Sequence, residues 1–262
     1  SGRVYLQTVD GRISAFELAS GKQLWSYESA MPILTVRGTG SPLVLDQIVV
    51  TGLASGKVVA LDKELGIPRW DVRLATPDGR SELERLVDVD GTPGQDGETL
   101  YAASYHGKVA AFNTNGDTRW EEDGSSYSSP ALALGNLYLT LDDGTVKAFD
   151  AASGAPVWQQ PGLQGRKPAA VVRFERWLAV ADGQGSLYLL DPVNGEVLGE
   201  KLIRPRPLHI SYPNASEATR WRRAWAASAP IFIRNGVRSQ PPTPQDMPKP
   251  RLSSVGRVSS PP

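Results

Sequence analysis

Five copies of one short phrase constrain this chain more than any other feature. They occupy residues 11–25 (GRISAFELASGKQLW), 56–70 (GKVVALDKELGIPRW), 107–120 (GKVAAFNTNGDTRW), 144–158 (GTVKAFDAASGAPVW) and 185–199 (GSLYLLDPVNGEVLG). The opening glycines (Gly11, Gly56, Gly107, Gly144, Gly185) are 45, 51, 37 and 41 residues apart, a period that belongs to a stacked repeat and not to one globular core. In four copies a tryptophan follows the glycine by 13 or 14 residues; the fifth has Gly199 in that place. Function is therefore expected on the scaffold's surface, at its hub, or in the insertions between repeats.

Residues 129–160 give the cleanest unit. A short apolar strand over 130–134 is followed by Gly135-Asn136, a pair suited to a two-residue turn with positive φ. A second strand over 137–141 (LYLTL) runs to Asp142-Asp143-Gly144, which turns the chain again. The segment 145–150 (TVKAFD) alternates as a half-buried strand does. A further turn at 151–154 (AASG) leads to a last strand over 156–160 (PVWQQ). Four short antiparallel strands joined by tight turns predict one propeller blade. Each tryptophan falls on the outer strand, where a large flat side chain fills the groove against a neighbouring blade. Residues 41–74 and 168–202 parse alike, as do 92–121, although 93–98 (PGQDGE) is polar where a first strand belongs. The first unit lacks its opening strand. The expected class is all-β, a β-propeller of four-stranded antiparallel blades, with five blades over residues 1–202 and four of them roughly complete.

Charge balances overall, 28 basic against 28 acidic residues, but not along the chain. From Ile203 onward there are ten Lys/Arg and two Asp/Glu, which leaves 18 basic and 26 acidic groups in the repeats. An acidic repeat region argues against a nucleic-acid partner. The absence of cysteine excludes disulfides and Cys-based metal or nucleophile sites. No apolar run approaches the ~20 residues that span a membrane. The chain opens directly on a strand over 3–8 (RVYLQT) with no signal peptide, so its natural start is expected upstream, with any address it carries.

Repeats of the form strand, Asp-Gly, V-x-A-[FL]-[DN], turn-Gly, Trp resemble the quinoprotein-type β-propeller repeat. Within that group, residues 32–42 (PILTVRGTGSP) and 81–93 (SELERLVDVDGTP) are similar to the two interblade segments of the outer-membrane assembly lipoprotein family BamB. The Arg-Gly of the first and the Arg-Leu-x-Asp-Val-Asp-x-Thr-Pro of the second are distinctive as a pair, and the likeness covers residues 1 to about 202. The resemblance implies a non-catalytic, cofactor-free propeller of eight blades, held by a lipidated N-terminal cysteine on the periplasmic face of the outer membrane. The sequence holds no cysteine, and that anchor and the early blades are expected upstream of it. It implies binding to the periplasmic domains of BamA within the β-barrel assembly (BAM) complex, and support of outer membrane protein folding. Another face or sheet edge is expected to present unfolded outer membrane proteins.

Carried across residue by residue, the family's BamA contacts fall on Leu34, Val36 and Arg37 in the first segment and Asp88 and Asp90 in the second. Leu34 and Val36 alternate across Thr35 as outward apolar anchors. Arg37 offers a planar guanidinium to carboxylate or backbone oxygens. Asp88 and Asp90 share one side of an extended segment, where they meet a basic partner, pair with Arg37, or hold the loop's own shape. Two alternatives stand beside this reading: a quinone-dependent dehydrogenase-like propeller, and a generic periplasmic interaction domain. The first is disfavoured, because no Glu…Asn…Asp hub set can be matched. His106, at a hairpin, and His209, in the tail, are the two histidines, and no triad can be assembled from them. Asp142-Asp143-Gly144 and the DGQG of 182–185 resemble calcium loops, but each sits at a blade turn, where Asp and Gly are expected anyway.

After residue 202 the repeat grammar stops. Residues 203–262 hold eleven prolines, a basic-aromatic cluster at 220–225 (RWRRAW) and one short strand candidate at 231–233. A basic arm for phosphates, a disordered proline-rich linker and a shifted reading frame all remain open. The change of charge in mid-array favours the third. Five blades of an eight-blade family form an open arc with poorly covered sheet edges, so the chain is expected to be marginally stable or aggregation-prone.

Overall fold

The computed structural model describes residues 2–32, 40–203, 232–234 and 237–239. Its strands fall in sequence order into consecutive antiparallel meanders. The first has three strands, β1 (Arg3–Gln7), β2 (Arg12–Glu17) and β3 (Gln23–Glu28). The second comprises β4 (Leu43–Val44), β5 (Ile48–Leu53), β6 (Lys57–Asp62) and β7 (Pro68–Arg73), and the third β8 (Gly94–Asp96), β9 (Thr99–Ala103), β10 (Lys108–Asn113) and β11 (Thr118–Asp123). The fourth contains β12 (Ala131–Ala133), β13 (Asn136–Thr140), β14 (Val146–Asp150) and β15 (Pro156–Gln160), and the fifth β16 (Val172–Phe174), β17 (Trp177–Ala181), β18 (Ser186–Leu190) and β19 (Val197–Leu202). These are propeller blades, four of them four-stranded, as the repeat predicts. The polar 93–98 segment still yields β8, a three-residue strand paired with β9.

Past residue 203 the described backbone consists of β20 (Phe232–Arg234) and β21 (Val237–Ser239), paired antiparallel. The rest of the tail, including the 220–225 cluster and His209, lies outside the described residues. Among the described residues no helix is long and apolar enough to cross a membrane.

One turn falls a residue earlier than its sequence suggests. Ala133 pairs with Asn136, so the two-residue loop of the fourth blade is Leu134-Gly135 and not Gly135-Asn136. Both loop residues have positive φ, +52° and +74°, as a type I′ hairpin turn requires.

The core lies between blades. Four apolar layers are each shared by two consecutive blades, for example Ile13, Ala15 and Trp25 of the first with Leu53, Val59 and Leu61 of the second. The same holds for the second and third blades, the third and fourth, and the fourth and fifth. Alternation in the strands thus buries both faces of the second, third and fourth blades, each against a different neighbour.

The repeated tryptophan is the centre of each junction. Trp25, Trp70, Trp120 and Trp158 donate their indole N–H to main-chain carbonyls in the last turn of the next blade. The acceptors are Lys63 (3.1 Å), Thr114 (2.8 Å), Ala151 (3.0 Å) and Pro192 (3.0 Å). The glycine of that same turn lies flat on the indole. A Cβ on Gly66, Gly116, Gly154 or Gly195 would come within 2.5–2.8 Å of the ring, and all four hold positive φ. Glycine is therefore required there twice over, by conformation and by contact. The turn's first residue, Asp62, Asn113, Asp150 or Asp191, caps it by accepting amides two to four residues on. This is the physical content of the [DN]-turn-Gly phrase.

Opposite each tryptophan on the neighbouring strand stands an alanine: Ala15, Ala60, Ala111 and Ala148. In every blade the register shifts by one residue immediately after this pair, a β-bulge in the same place five times. The fifth blade inverts the sizes. There Leu189 faces Gly199, and the blade's layer of Val172, Ala179, Ala181, Leu187 and Leu189 is drawn from that blade alone, with Ile203 packed against it.

Candidate partner-binding edge

Leu34, Val36 and Arg37 lie outside the described residues, since the description of the first interblade segment breaks at 33–39. Its exit is described. Gly40 presses on the backbone of the second segment, where a Cβ would sit 2.6 Å from the Thr92 nitrogen and 2.7 Å from the Asp90 carbonyl oxygen. The Ser41 amide then donates to Thr92 Oγ1 at 2.8 Å. The two segments that the sequence singles out separately are in contact.

The second segment begins with a single helical turn. Ser81 Oγ accepts the Glu84 amide at 3.2 Å, while Glu84 Oε2 reaches back to the amides of Arg80 (2.6 Å) and Ser81 (3.3 Å). This reciprocal arrangement is a capping box, and it is legible as the S-x-x-E of SELE. It presents Leu83 to solvent, 69% exposed, a feature that sequence reasoning missed although the box itself could have disclosed it.

Residues 87–90 then thread between the second and third blades. The Val89 amide bonds to the Leu53 carbonyl (3.3 Å), and the Asp88 carbonyl accepts both the Tyr105 amide (2.7 Å) and Ser104 Oγ (2.9 Å). Gly52 leaves room for Val89, and Gly56 for Val87. Asp88 and Asp90 are buried, 2% and 8% exposed. With Val89 they line a small cavity whose other walls include Gln7, Gly52 and Met31.

The carboxylates of the blade turns are engaged locally. Asp142 Oδ2 accepts Ser125 Oγ at 2.7 Å. Asp143 takes the amide and hydroxyl of Thr145 and the amide group of Gln164. Asp182, fully buried, accepts the Gln184 and Ser186 amides, the Arg166 guanidinium (2.8 Å) and the Tyr188 hydroxyl (3.2 Å). Burial alone would raise the Asp182 carboxyl. The Arg166 guanidinium and the two amides outweigh it and hold the group below the usual carboxylate range. Tyr188 is pushed up, first by burial and then by its bond to Glu200. His106 holds φ +52° and stacks on Tyr105 with ring centroids 3.9 Å apart.

The family model for outer membrane protein assembly factor BamB matches residues 1–160 and 142–204. The outer membrane protein assembly factor BamB of Pseudomonas aeruginosa is 41% identical over 189 residues, which are 70% of this chain and 50% of that protein. The crystal structure of BamB from Moraxella catarrhalis superposes with a TM-score of 0.77 at 30% identity, over 82% of this chain and 65% of that one. Quinohemoprotein alcohol dehydrogenase from Comamonas testosteroni shares the fold alone, with a TM-score of 0.63 at 14% identity, over 80% of this chain and 44% of that one. The chain spans about half the length of the curated relatives it matches. Blades, junction tryptophans and both interblade segments lie inside the matched residues, and the chain belongs to the outer membrane protein assembly factor BamB family.

Proposed function

We propose that this chain is a non-catalytic scaffold of outer membrane protein assembly, acting at the periplasmic face of the outer membrane as part of the BAM complex. Its partner is BamA, gripped through the edge built by residues 33–39 and 81–92. The observation that carries this reading is the contact of the two segments through Gly40 and Thr92, in a chain whose family is named for that assembly. In this reading Leu34, Val36 and Arg37 supply the direct contacts. Asp88 and Asp90 belong to the same edge and, being buried, hold its shape beneath them. A second face of the propeller holds unfolded outer membrane proteins. A scaffold role is supported further by the turn carboxylates Asp142, Asp143 and Asp182, each of which is taken up by its own neighbourhood.

The test is co-purification of the full chain with the periplasmic domains of BamA, with Arg37→Glu run in parallel and melting curves for both. Loss of a central arginine anchor is expected to weaken capture about 30-fold, the scale of an interface hot spot at about 2 kcal/mol, with the melting curve unchanged. Equal capture of both folded proteins would remove Arg37 and this edge from the interface.

A further inference from the structure

Three of the blades are entered through a hydroxyl residue followed by proline: Ser41-Pro42, Thr92-Pro93 and Ser129-Pro130. The structure connects them. The Ser41 amide donates to Thr92 Oγ1 at 2.8 Å, and the Thr92 amide donates to Ser129 Oγ at 2.9 Å. Each hydroxyl thus accepts the last main-chain donor before a proline, which has no N–H of its own. The residue before a proline favours extended backbone, which narrows the donor's direction. Close backbone approach sits beneath each rung. Gly40 lies against residues 90–92, and Gly91 lies against the backbone of Ser128 and Ser129. The fifth blade is entered through Lys167-Pro168, which offers no hydroxyl, and among the described residues the ladder ends at Ser129.

We infer that Thr92 is a positioning residue for the BamA-binding edge, supported in turn by Ser129, and this rests on the reading of residues 33–39 as that edge. Arg37 stands three residues before Gly40, a span of at most about 10 Å of chain. The seat of Gly40 and Ser41 on Thr92 is therefore the described attachment nearest to Arg37, on the C-terminal side of the segment that carries Leu34, Val36 and Arg37; Met31, packed at Gly11, holds the other side. The same seat touches the Asp90 carbonyl, so it sets the register of one segment against the other. Thr92 meets no partner in this account. It acts by holding the segment that does.

The experiment uses the full chain carrying Thr92→Val, which keeps the shape and removes the acceptor, Thr92→Ser, which restores the acceptor, and Ser129→Ala. Amide hydrogen exchange is read by mass spectrometry for the peptide covering 33–42 and for a remote control covering 186–202. Capture by the periplasmic domains of BamA is measured beside Arg37→Glu. Thr92→Val is expected to speed exchange in 33–42 about 10-fold, the worth of one hydrogen bond, with the remote peptide unmoved. It is also expected to weaken capture to a similar extent. Thr92→Ser returns both readouts to the original, and Ser129→Ala gives a smaller effect of the same kind. Unchanged exchange in Thr92→Val overturns the coupling whatever the partner does. Faster exchange with full capture, when Arg37→Glu abolishes capture, overturns the positioning role. If Arg37→Glu is captured as well as the original chain, the binding reading fails and takes the functional half of this inference with it, and the exchange data alone then decide the coupling.

Discussion

Leu134 holds φ at +52° in the two-residue turn of the fourth blade, with its side chain 69% exposed. A branched apolar residue there bears the cost of left-handed backbone and contributes little packing in return. Asn-Gly is the favoured pair for such a turn, so Leu134→Asn is expected to raise stability by about 0.5–1 kcal/mol. A higher urea midpoint at constant slope would show it; an unchanged or lower midpoint would mean that the leucine makes contacts worth the strain. The misplacement of this turn by one residue has a plain cause. A glycine next to an asparagine is a strong turn signal, and only the register of Ala133 with Asn136 reveals that the leucine is in the turn. The tyrosines were equally silent. Tyr101 and Trp120 donate to one carbonyl, that of Ala151, and Tyr138 and Trp158 to that of Pro192. The second lone pair of a carbonyl in the next blade has no counterpart in local periodicity.

At the level of the blade, the alanine-tryptophan pair and the bulge after it form one device: the small residue makes room for the indole, and the bulge turns the strand beyond it. The V-x-A of the repeat and the tryptophan nine or ten residues after its alanine were both legible in sequence. That they face each other was not, because the bulge shifts the pairing that an ideal hairpin would give. The fifth blade supplies a test of the device, since Leu189 and Gly199 carry the same pair with sizes exchanged. Gly199→Trp alone should overpack against Leu189 and cost about 1–3 kcal/mol. Leu189→Ala alone should cost about 2–5 kcal/mol. The double variant is expected to be more stable than the sum of the two predicts, by about 1 kcal/mol or more. Additive losses in denaturant melts would show that the facing pair is not a packing unit. The candidate edge was legible only in part. Its two segments stood out as insertions with distinctive residues, but the burial of Asp88 and Asp90 follows from their threading between blades, which no spacing of acidic residues announces.

For the whole molecule, the outward face of the first described blade stands out. On the first blade Tyr5 and Gln7 point toward the second blade, where Gln7 Nε2 donates to the Gly52 carbonyl at 2.8 Å. Val4 and Leu6 point the other way and, with Leu24, are 44%, 48% and 41% exposed. An apolar sheet face of this kind is a site of association. The chain is expected to self-associate as its concentration rises, and Leu6→Lys to shift the sedimentation profile toward monomer. A monodisperse monomer with a sharp cooperative melt at every concentration would contradict this. The tryptophan junctions between blades have a different consequence, one of inheritance. A stretch of chain cut from one tryptophan to the next carries one key, its own indole, and one keyhole, the turn glycine that receives the indole before it. Copying or deleting such a stretch changes the length of the row but leaves no lock without its key. Arrays of this design can therefore gain or lose members by a single genetic event and still assemble, while an exchange of any one tryptophan or glycine damages a junction that no other blade can repair.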